Sequence, residues 1–153
     1  AFRSTVVAFE LKYLTSKLTL CIEGEDYNLA AQDARDIDRY AVVKDMERLE
    51  QIVADTPNTS RVALVLTNDA GLWNQTGGSE AADRAFRIGD GSILEGTLAW
   101  GPTAGPGTRR GRDRSFQLRG CYRCEWNDYS TIEPAKHGRF RWMAVRVRST
   151  TLS

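Results

Sequence analysis

The stretch V-V-A-F-E-L-K-Y, from Val6 to Tyr13, decides the fold class of this chain. Alternate side chains of a β-strand point to opposite faces, so the stretch has two faces of different character. One face is wholly apolar and consists of Val7, Phe9, Leu11 and Tyr13. The other face carries a carboxylate and an ammonium group two residues apart, at Glu10 and Lys12. The otherwise apolar run predicts a buried central strand, in which a charged pair needs a partner or a ligand.

One long helix is predicted after this strand, over Ala30 to Asp55, with its core at Asp33–Ala54. Asp33 is the predicted N-cap, and Thr56-Pro57-Asn58 ends the helix. On a helical wheel, a broad apolar arc consists of Ile37, Ala41, Val42, Met46, Leu49, Ile52 and Val53. The arc faces the sheet in this prediction and defines the buried side of the helix.

Two acidic residues, Asp38 and Asp45, fall inside that apolar arc. One explanation is a pair of salt bridges with Arg39, Arg48 or Lys12. The other is that the helix presents polar groups to a site built around the charged pair of the first strand. Both explanations place acidic side chains of the helix against the sheet.

Arg61 to Thr67 predicts a second buried strand, and a strand–helix–strand crossover implies parallel pairing. The sequence also predicts a short hairpin over residues 17–29, a short helix over Glu80–Ala85 and a mobile Gly- and Pro-rich loop over Gly101–Arg114. Further strands are predicted at Ala85–Ile88, Ser92–Trp100, Phe116–Trp126 and Phe140–Val147, the last two antiparallel. The prediction is an α/β fold with a mixed sheet, in a single domain over residues 1–153.

The composition is typical of a soluble globular protein, with 41% hydrophobic and 27% charged residues and a net charge of +1. No apolar run approaches the roughly 20 residues of a membrane span, so we expect no membrane partner. Three cysteines do not suggest a disulfide framework, and a reducing cytoplasm is the expected location. The chain begins at Ala1, only nine residues before Glu10, which suggests a trimmed chain or a missing N-terminal segment.

Glu10-Leu11-Lys12 after an apolar run resembles the E-x-K half of the PD-(D/E)xK motif of the restriction-endonuclease-like nucleases. The helix sequence D-I-D-R-Y-A-V-V-K-D-M-E-R-L-E, followed by a strand ending L-T-N-D and by Trp73, resembles a group of bacterial proteins with this nuclease core. The similarity covers Val6 to Trp73. It implies a restriction-endonuclease-like mixed central sheet, a long crossover helix and antiparallel C-terminal strands.

The resemblance implies a nuclease that hydrolyses DNA with Mg²⁺ or Mn²⁺ as its cofactor. Glu10 and the backbone carbonyl of Leu11 would bind the metal, and Lys12 would help to activate the attacking water. The family's other ligand is an Asp on the preceding strand, but Arg3 is the only charged residue before Glu10.

Three explanations remain open for this missing acid. It lies upstream of Ala1 in a longer natural protein, a helix acid such as Asp38 or Asp45 replaces it, or the site is inactive. In the first and last cases, we expect the chain that begins at Ala1 to hydrolyse no DNA.

Two further groups are candidates for contact with nucleic acid. The helix face would supply substrate or supporting contacts through Asp36, Tyr40, Lys44, Asp45 and Arg48. The loop from Thr108 to Ser115 carries a net charge of +3, from Arg109, Arg110, Arg112 and Arg114 against Asp113. Arginines in such a loop can hold backbone phosphates, although a solvated surface loop is an equal alternative.

Other chemistries have weaker support in the sequence. Cys121-x-x-Cys124 lacks the second ligand pair of a structural zinc site, and His137, the one histidine, lies in a polar loop. Two non-catalytic alternatives remain: an inactive nuclease-like module that binds nucleic acid or a protein partner, and a structural homodimer. The homodimer predicts a large apolar surface around Trp126 and Trp142.

Overall fold

The computed structural model describes residues 6–32, 34–52, 59–75 and 77–148. The strands in these ranges are β1 (Val6–Leu14), β2 (Leu18–Ile22), β3 (Glu25–Leu29), β4 (Thr59–Thr67), β5 (Ile93–Leu98), β6 (Phe116–Arg123), β7 (Trp126–Thr131) and β8 (Arg139–Val147). The helices are α1 (Arg35–Gln51), α2 (Ala70–Trp73) and α3 (Pro106–Arg109), and Arg84–Phe86 forms a 3₁₀ turn. None of these helices has the length and apolar character that crossing a membrane requires.

The main sheet has the strand order β1-β4-β8-β7. β1 and β4 are parallel, with Glu10 beside Ala63 and Lys12 beside Val65. β8 is antiparallel to both β4 and β7. The hairpin β2–β3 and the antiparallel pair β5–β6 form separate two-stranded sheets. The predicted mixed α/β fold and the parallel pair across the long helix are therefore confirmed. The predicted antiparallel pairing of Phe116–Trp126 with Phe140–Val147 is not formed by β6, which pairs with β5, whereas β7 pairs with β8.

The hydrophobic core lies between α1 and one face of the main sheet. Val43, Met46 and Leu49 of α1 have no exposed surface, and Val65 of β4 is 1% exposed. These helical positions recur at three-residue spacing, so they share one side of the helix. Burial of each large apolar side chain stabilises the fold by about 1.5–3 kcal/mol, which makes this layer the main source of stability.

An aromatic cluster joins α1 to the second sheet. The Tyr40 ring stacks on Trp100 at 5.4 Å and contacts Phe86 at 5.3 Å and Phe116 at 4.7 Å between ring centroids. Each such pair adds about 0.5–1.5 kcal/mol beyond the apolar area that it buries. The cluster positions β5 and β6 against the helix.

Buried acids of α1 also bind β6. The Glu50 carboxylate accepts hydrogen bonds from the backbone N–H groups of Arg119 and Gly120, at 3.0 and 2.9 Å, and from the Tyr122 hydroxyl at 2.6 Å. Glu47 accepts another backbone hydrogen bond from the same strand, at 2.9 Å. Charge-assisted bonds of this kind compensate the cost of burying a carboxylate.

The helix begins later than the sequence predicts. α1 starts at Arg35, and its N-cap, Ala34, has no side-chain capping bond. The preceding segment is held by Thr15, whose hydroxyl donates to the Ala30 carbonyl at 2.6 Å and whose carbonyl accepts from the Gln32 N–H at 2.8 Å. These bonds keep residues 30–32 out of the helix. The predicted N-cap Asp33 and the predicted helix end at 53–58 lie outside the described residues.

The position of β1 in the sheet also differs from the prediction. In the described part of the chain, β1 is an edge strand rather than a central one, because it pairs with β4 and ends the strand order. Its apolar face, with Phe9 and Leu11, lies opposite the face that α1 covers and is exposed. The alternating pattern identifies a strand and its faces, but it does not report how many neighbours the strand has.

Three shorter elements differ from the prediction. Ala85–Ile88 is not a strand: Phe86 ends the 3₁₀ turn, and both Phe86 and Ile88 are buried as core residues. Of the short helix predicted over Glu80–Ala85, only Arg84 and Ala85 are helical, as part of the 3₁₀ turn, and turns precede them. The strand predicted over Phe116–Trp126 is present as β6 but ends at Arg123, where the Cys124 N–H bonds to the Ser92 carbonyl at 2.8 Å, and Trp126 begins β7.

Candidate functional site

Glu10 and Lys12 project from β1 on the side that α1 covers. Their side chains are 22% and 28% exposed, so both are mainly shielded from bulk water. The prediction that the acid and the amine share one polar face of the strand is confirmed. This face also receives the buried side of α1, which brings helix charges to them.

Two helix residues pair with these strand residues. Lys12 Nζ lies 2.8 Å from Asp45 Oδ2. Arg48 donates to Glu10 through Nε at 2.9 Å and through Nη2, and Arg48 Nη2 lies 3.9 Å from Asp45 Oδ1. We call Glu10, Lys12, Asp45 and Arg48 the charged quartet; its two acids and two bases sum to zero charge.

The quartet explains why an acidic residue lies on the sheet-facing side of α1. The Asp45 side chain is only 9% exposed, and burying a carboxylate without a partner is costly. Lys12, on β1, compensates that cost. The salt-bridge explanation of Asp45 is thus confirmed, with Lys12 as its nearer partner and Arg48 at longer range.

Asp38, the second acid of the predicted arc, is half-buried beside the quartet. Burial raises the pKa of Asp38, the negative charge of Asp69 raises it further, and the positive charge of Lys12 opposes both. In the described ranges Asp38 forms no ion pair within 4 Å. The Asp38 carboxylate therefore interacts with the positive charge of Lys12 at a distance, without forming an ion pair with it.

The quartet contains the oxygen donors of a hard cation. Mg²⁺ binds one or two carboxylates and keeps several waters, and Glu10 and Asp45 supply two carboxylates. One guanidinium nitrogen of Arg48 contacts both, so a positive group already lies between them. A cation at these carboxylates would therefore have to compete with Arg48. No group of three or more His, Cys, Asp or Glu side chains in the described ranges is placed to hold a metal.

The other helix candidates lie elsewhere. Tyr40 is buried in the aromatic cluster, and its hydroxyl donates to the Arg114 carbonyl at 3.4 Å. Asp36 Oδ2 accepts from the Thr108 hydroxyl at 3.5 Å, on the same side of α1. Lys44 is exposed. Of the five predicted helix positions, the structure brings only Asp45 and Arg48 to the charged pair of β1.

The arginines of the basic loop are held mainly by the protein itself. Arg114 pairs with Glu47 at 2.6 Å, and Arg109 and Arg112 donate to backbone carbonyls at 3.0 and 3.2 Å. The loop includes the helical turn α3, so part of it is regular rather than mobile coil. Arg110 is exposed. These contacts lie on the Glu47 side of α1, whereas the quartet lies on the side of Asp45 and Arg48.

The cysteines and the histidine lie in different surroundings. Cys121 is exposed and Cys124 is buried, and both are free thiols. Burial, with the Asp90 charge as a smaller contribution, raises the pKa of Cys124 to about 12. The His137 carbonyl accepts a hydrogen bond from the Asn68 side chain at 3.0 Å. These residues are not gathered into one site.

Sequence reasoning missed a buried ion pair between Arg39 and Asp83. Arg39 also donates to the Gly71 carbonyl at 2.5 Å, and both members of the pair are 7% exposed. The two residues are 44 positions apart, so no local pattern could have paired them. The pair joins α1 to the segment that precedes the 3₁₀ turn.

No protein-family model, curated protein or solved structure matches this chain. The chemistry of the quartet and of the residues around it is therefore the basis for assigning a function.

Proposed function

We propose that this chain is a restriction-endonuclease-like nuclease domain that hydrolyses phosphodiester bonds in DNA with Mg²⁺ or Mn²⁺. One observation carries the proposal: Glu10 and Lys12 lie together on the helix-covered face of β1, where Asp45 adds a second carboxylate 2.8 Å from the Lys12 amine. Two carboxylates and an amine at one point are the groups that metal-assisted phosphodiester hydrolysis uses.

Glu10 and Asp45 would hold the metal, so that Asp45 would replace the Asp of the preceding strand that the resemblance implies. When bound, the ion would polarise the phosphate and lower the pKa of the attacking water. Lys12, shielded between strand and helix, would orient that water or take its proton, which a partly buried amine does best. A role for the Leu11 carbonyl as a further ligand is part of the same proposal.

Arg48 is the movable member of the quartet. Its side chain is 57% exposed, so it can leave Glu10 without disturbing the core. A guanidinium binds phosphate oxygens with two parallel hydrogen bonds. We therefore assign Arg48 to the DNA backbone in the active complex, and the exposed Arg110 to a more distant phosphate contact.

The test is DNA hydrolysis in Mg²⁺ or Mn²⁺ by the wild-type chain and by Glu10→Gln and Lys12→Met. We expect each variant to lower the rate by about 10²-fold or more, because each removes a group that acts on the reacting phosphate. Lys17→Met removes an exposed lysine outside the helix and the quartet and should leave the rate unchanged. Equal activity in wild-type protein and both site variants would contradict the proposal.

A second candidate is a catalytically inactive nuclease-like module that binds nucleic acid or a protein partner. One observation favours it: both carboxylates of the quartet already have cationic partners in the protein. An inactive module would bind DNA in EDTA, hydrolyse none of it with added metal, and be indifferent to Glu10→Gln. Hydrolysis that is lost in this variant would exclude it.

A further inference from the structure

Among the described residues, no strand pairs with the outer edge of β1, so this edge of the main sheet is open. The Tyr13 carbonyl accepts from the Gln32 side chain at 3.2 Å, and the Thr15 carbonyl accepts from the Gln32 N–H at 2.8 Å. Alternate residues of a strand direct their N–H and C=O groups to the same edge. The backbone groups of Phe9 and Leu11 therefore also face this open edge, away from β4.

The apolar side chains of β1 on the sheet face opposite α1 are exposed. Phe9 and Leu11 are 61% and 66% exposed. Val62 and Leu64, their partners on β4, lie on the same face of the sheet but are only partly exposed. Among the described residues, β4 has a neighbouring strand on each side, whereas β1 has one on a single side. A strand alongside β1 would shield these apolar groups from the side.

β1 also lacks most of the features that protect natural edge strands. It pairs with β4 in unbroken register over Val6–Leu14, without a bulge, and it contains no proline. A long, regular and apolar edge strand is a template for pairing with another chain. Lys12 is its one lysine, and that side chain points towards α1 rather than into solvent.

We propose that β1 pairs antiparallel with β1 of a second copy of this chain, with Leu11 on the two-fold axis. The two four-stranded sheets become one continuous sheet, and both copies of α1 lie on the same side of it. This inference is independent of the proposed nuclease function.

The charges of β1 select both the partner and the register. With Leu11 opposite its own copy, Glu10 lies opposite Lys12 of the second copy, and Lys12 lies opposite the second Glu10. Phe9 then lies opposite the second Tyr13 on the apolar face. Opposite charges and aromatic pairs in directly opposed positions stabilise a sheet.

Neighbouring registers lose this complementarity. An axis through Glu10 places two carboxylates in opposition, and an axis through Lys12 places two ammonium groups in opposition. An axis through Phe9 sets both charged residues against apolar side chains, Ala8 and Val6. Because like charges directly opposite each other are destabilising, the Leu11 axis is the favoured arrangement.

The backbone geometry agrees with this register. Phe9, Leu11 and Tyr13 would form the hydrogen-bonded pairs, and Glu10 with Lys12 would form the closer, non-hydrogen-bonded pairs. The exposed Gln32 side chain would give up its bond to the Tyr13 carbonyl. A carbonyl oxygen has two lone pairs, so a hydrogen bond to Leu11 leaves its proposed metal contact open.

Site-specific crosslinking tests both the dimer and the register. The exposed cysteines are first removed as Cys21→Ser and Cys121→Ser, while the buried Cys124 is kept. In this background, Leu11→Cys should crosslink to its own copy with a reagent that spans about 8 Å, because the two positions face each other. Phe9→Cys alone should not, because its two copies lie roughly 13 Å apart along the strand.

A mixture of Phe9→Cys and Tyr13→Cys chains should crosslink, and this pair is the positive control for the register. All three positions are exposed, so the variants retain the core. Sedimentation of the wild-type chain should show a dimer. A monomer at high protein concentration would overturn the proposal, as would a dimer that fails to crosslink through Leu11→Cys. Crosslinking through Leu64→Cys alone would show that the sheet faces pack together, and would also overturn it.

Discussion

Asp38 carries a half-buried carboxylate beside the quartet. Burial and the nearby Asp69 raise the pKa of Asp38 above that of an exposed aspartate, against the opposing charge of Lys12. A raised pKa means that the folded protein favours the protonated acid. The ionised form of Asp38 therefore costs stability at neutral pH.

We expect Asp38→Asn to stabilise the protein at pH 7. For an acid with a raised folded-state pKa, the stabilising contribution is present below the unfolded pKa and is lost as the pH rises through the folded pKa. Asparagine remains neutral throughout, so its advantage should appear at pH 7 and vanish near pH 3. Thermal unfolding at the two pH values measures this difference.

Asp26→Asn, in the exposed hairpin, is the matched control and should change the melting temperature little at either pH. A lower melting temperature for Asp38→Asn than for wild-type protein at pH 7 would show that the ionised carboxylate is stabilising, contrary to this interpretation.

α1 connects three parts of the fold, each through a different side of the helix. Its apolar side packs on the main sheet, its buried glutamates bind β6, and Asp45 and Arg48 contact β1. Each contact satisfies a group that is costly to bury alone. The helix therefore fixes the positions of β1 and β6 relative to each other.

Glu50→Gln should destabilise the protein by about 1–3 kcal/mol. The carboxylate accepts the N–H groups of Arg119 and Gly120 and the Tyr122 hydroxyl, and an amide would turn a donor towards one of these donors. Urea unfolding gives the free energy of each variant. The exposed Glu125 pairs only with a surface arginine, so Glu125→Gln should cost less than about 1 kcal/mol. Equal stability of the two variants would contradict the role of Glu50.

Local patterns predicted the elements whose signal is local. Alternation located β1, and the long polar–apolar repeat located α1. The start of α1 was wrong because Thr15, far back in the chain, binds residues 30–32. The pairing of Lys12 with Asp45 rather than with another acid likewise depends on the packing of helix on sheet. Edge position and long-range partners are tertiary properties, and periodicity does not contain them.

β1 presents different chemical groups on its helix-covered face and along its outer edge. Its helix-covered face holds the quartet, and its outer edge offers free backbone groups and the exposed side chains of Phe9 and Leu11. The proposed catalytic and association surfaces therefore share one strand, and Glu10 and Lys12 take part in both. Leu11→Cys tests association, while Asp45 and Arg48 variants test the metal site from the helix.

Mn²⁺ binding, followed by the electron paramagnetic resonance signal of the free ion, tests the metal site most directly. We expect the wild-type chain to bind one Mn²⁺, Glu10→Gln to abolish binding, and Arg48→Ala to tighten it, because a competing guanidinium is removed from both carboxylates. Lys44→Ala, on the exposed side of α1, should bind as wild type does. The same weak signal change in wild-type protein, Glu10→Gln and Arg48→Ala would contradict a metal site in the quartet.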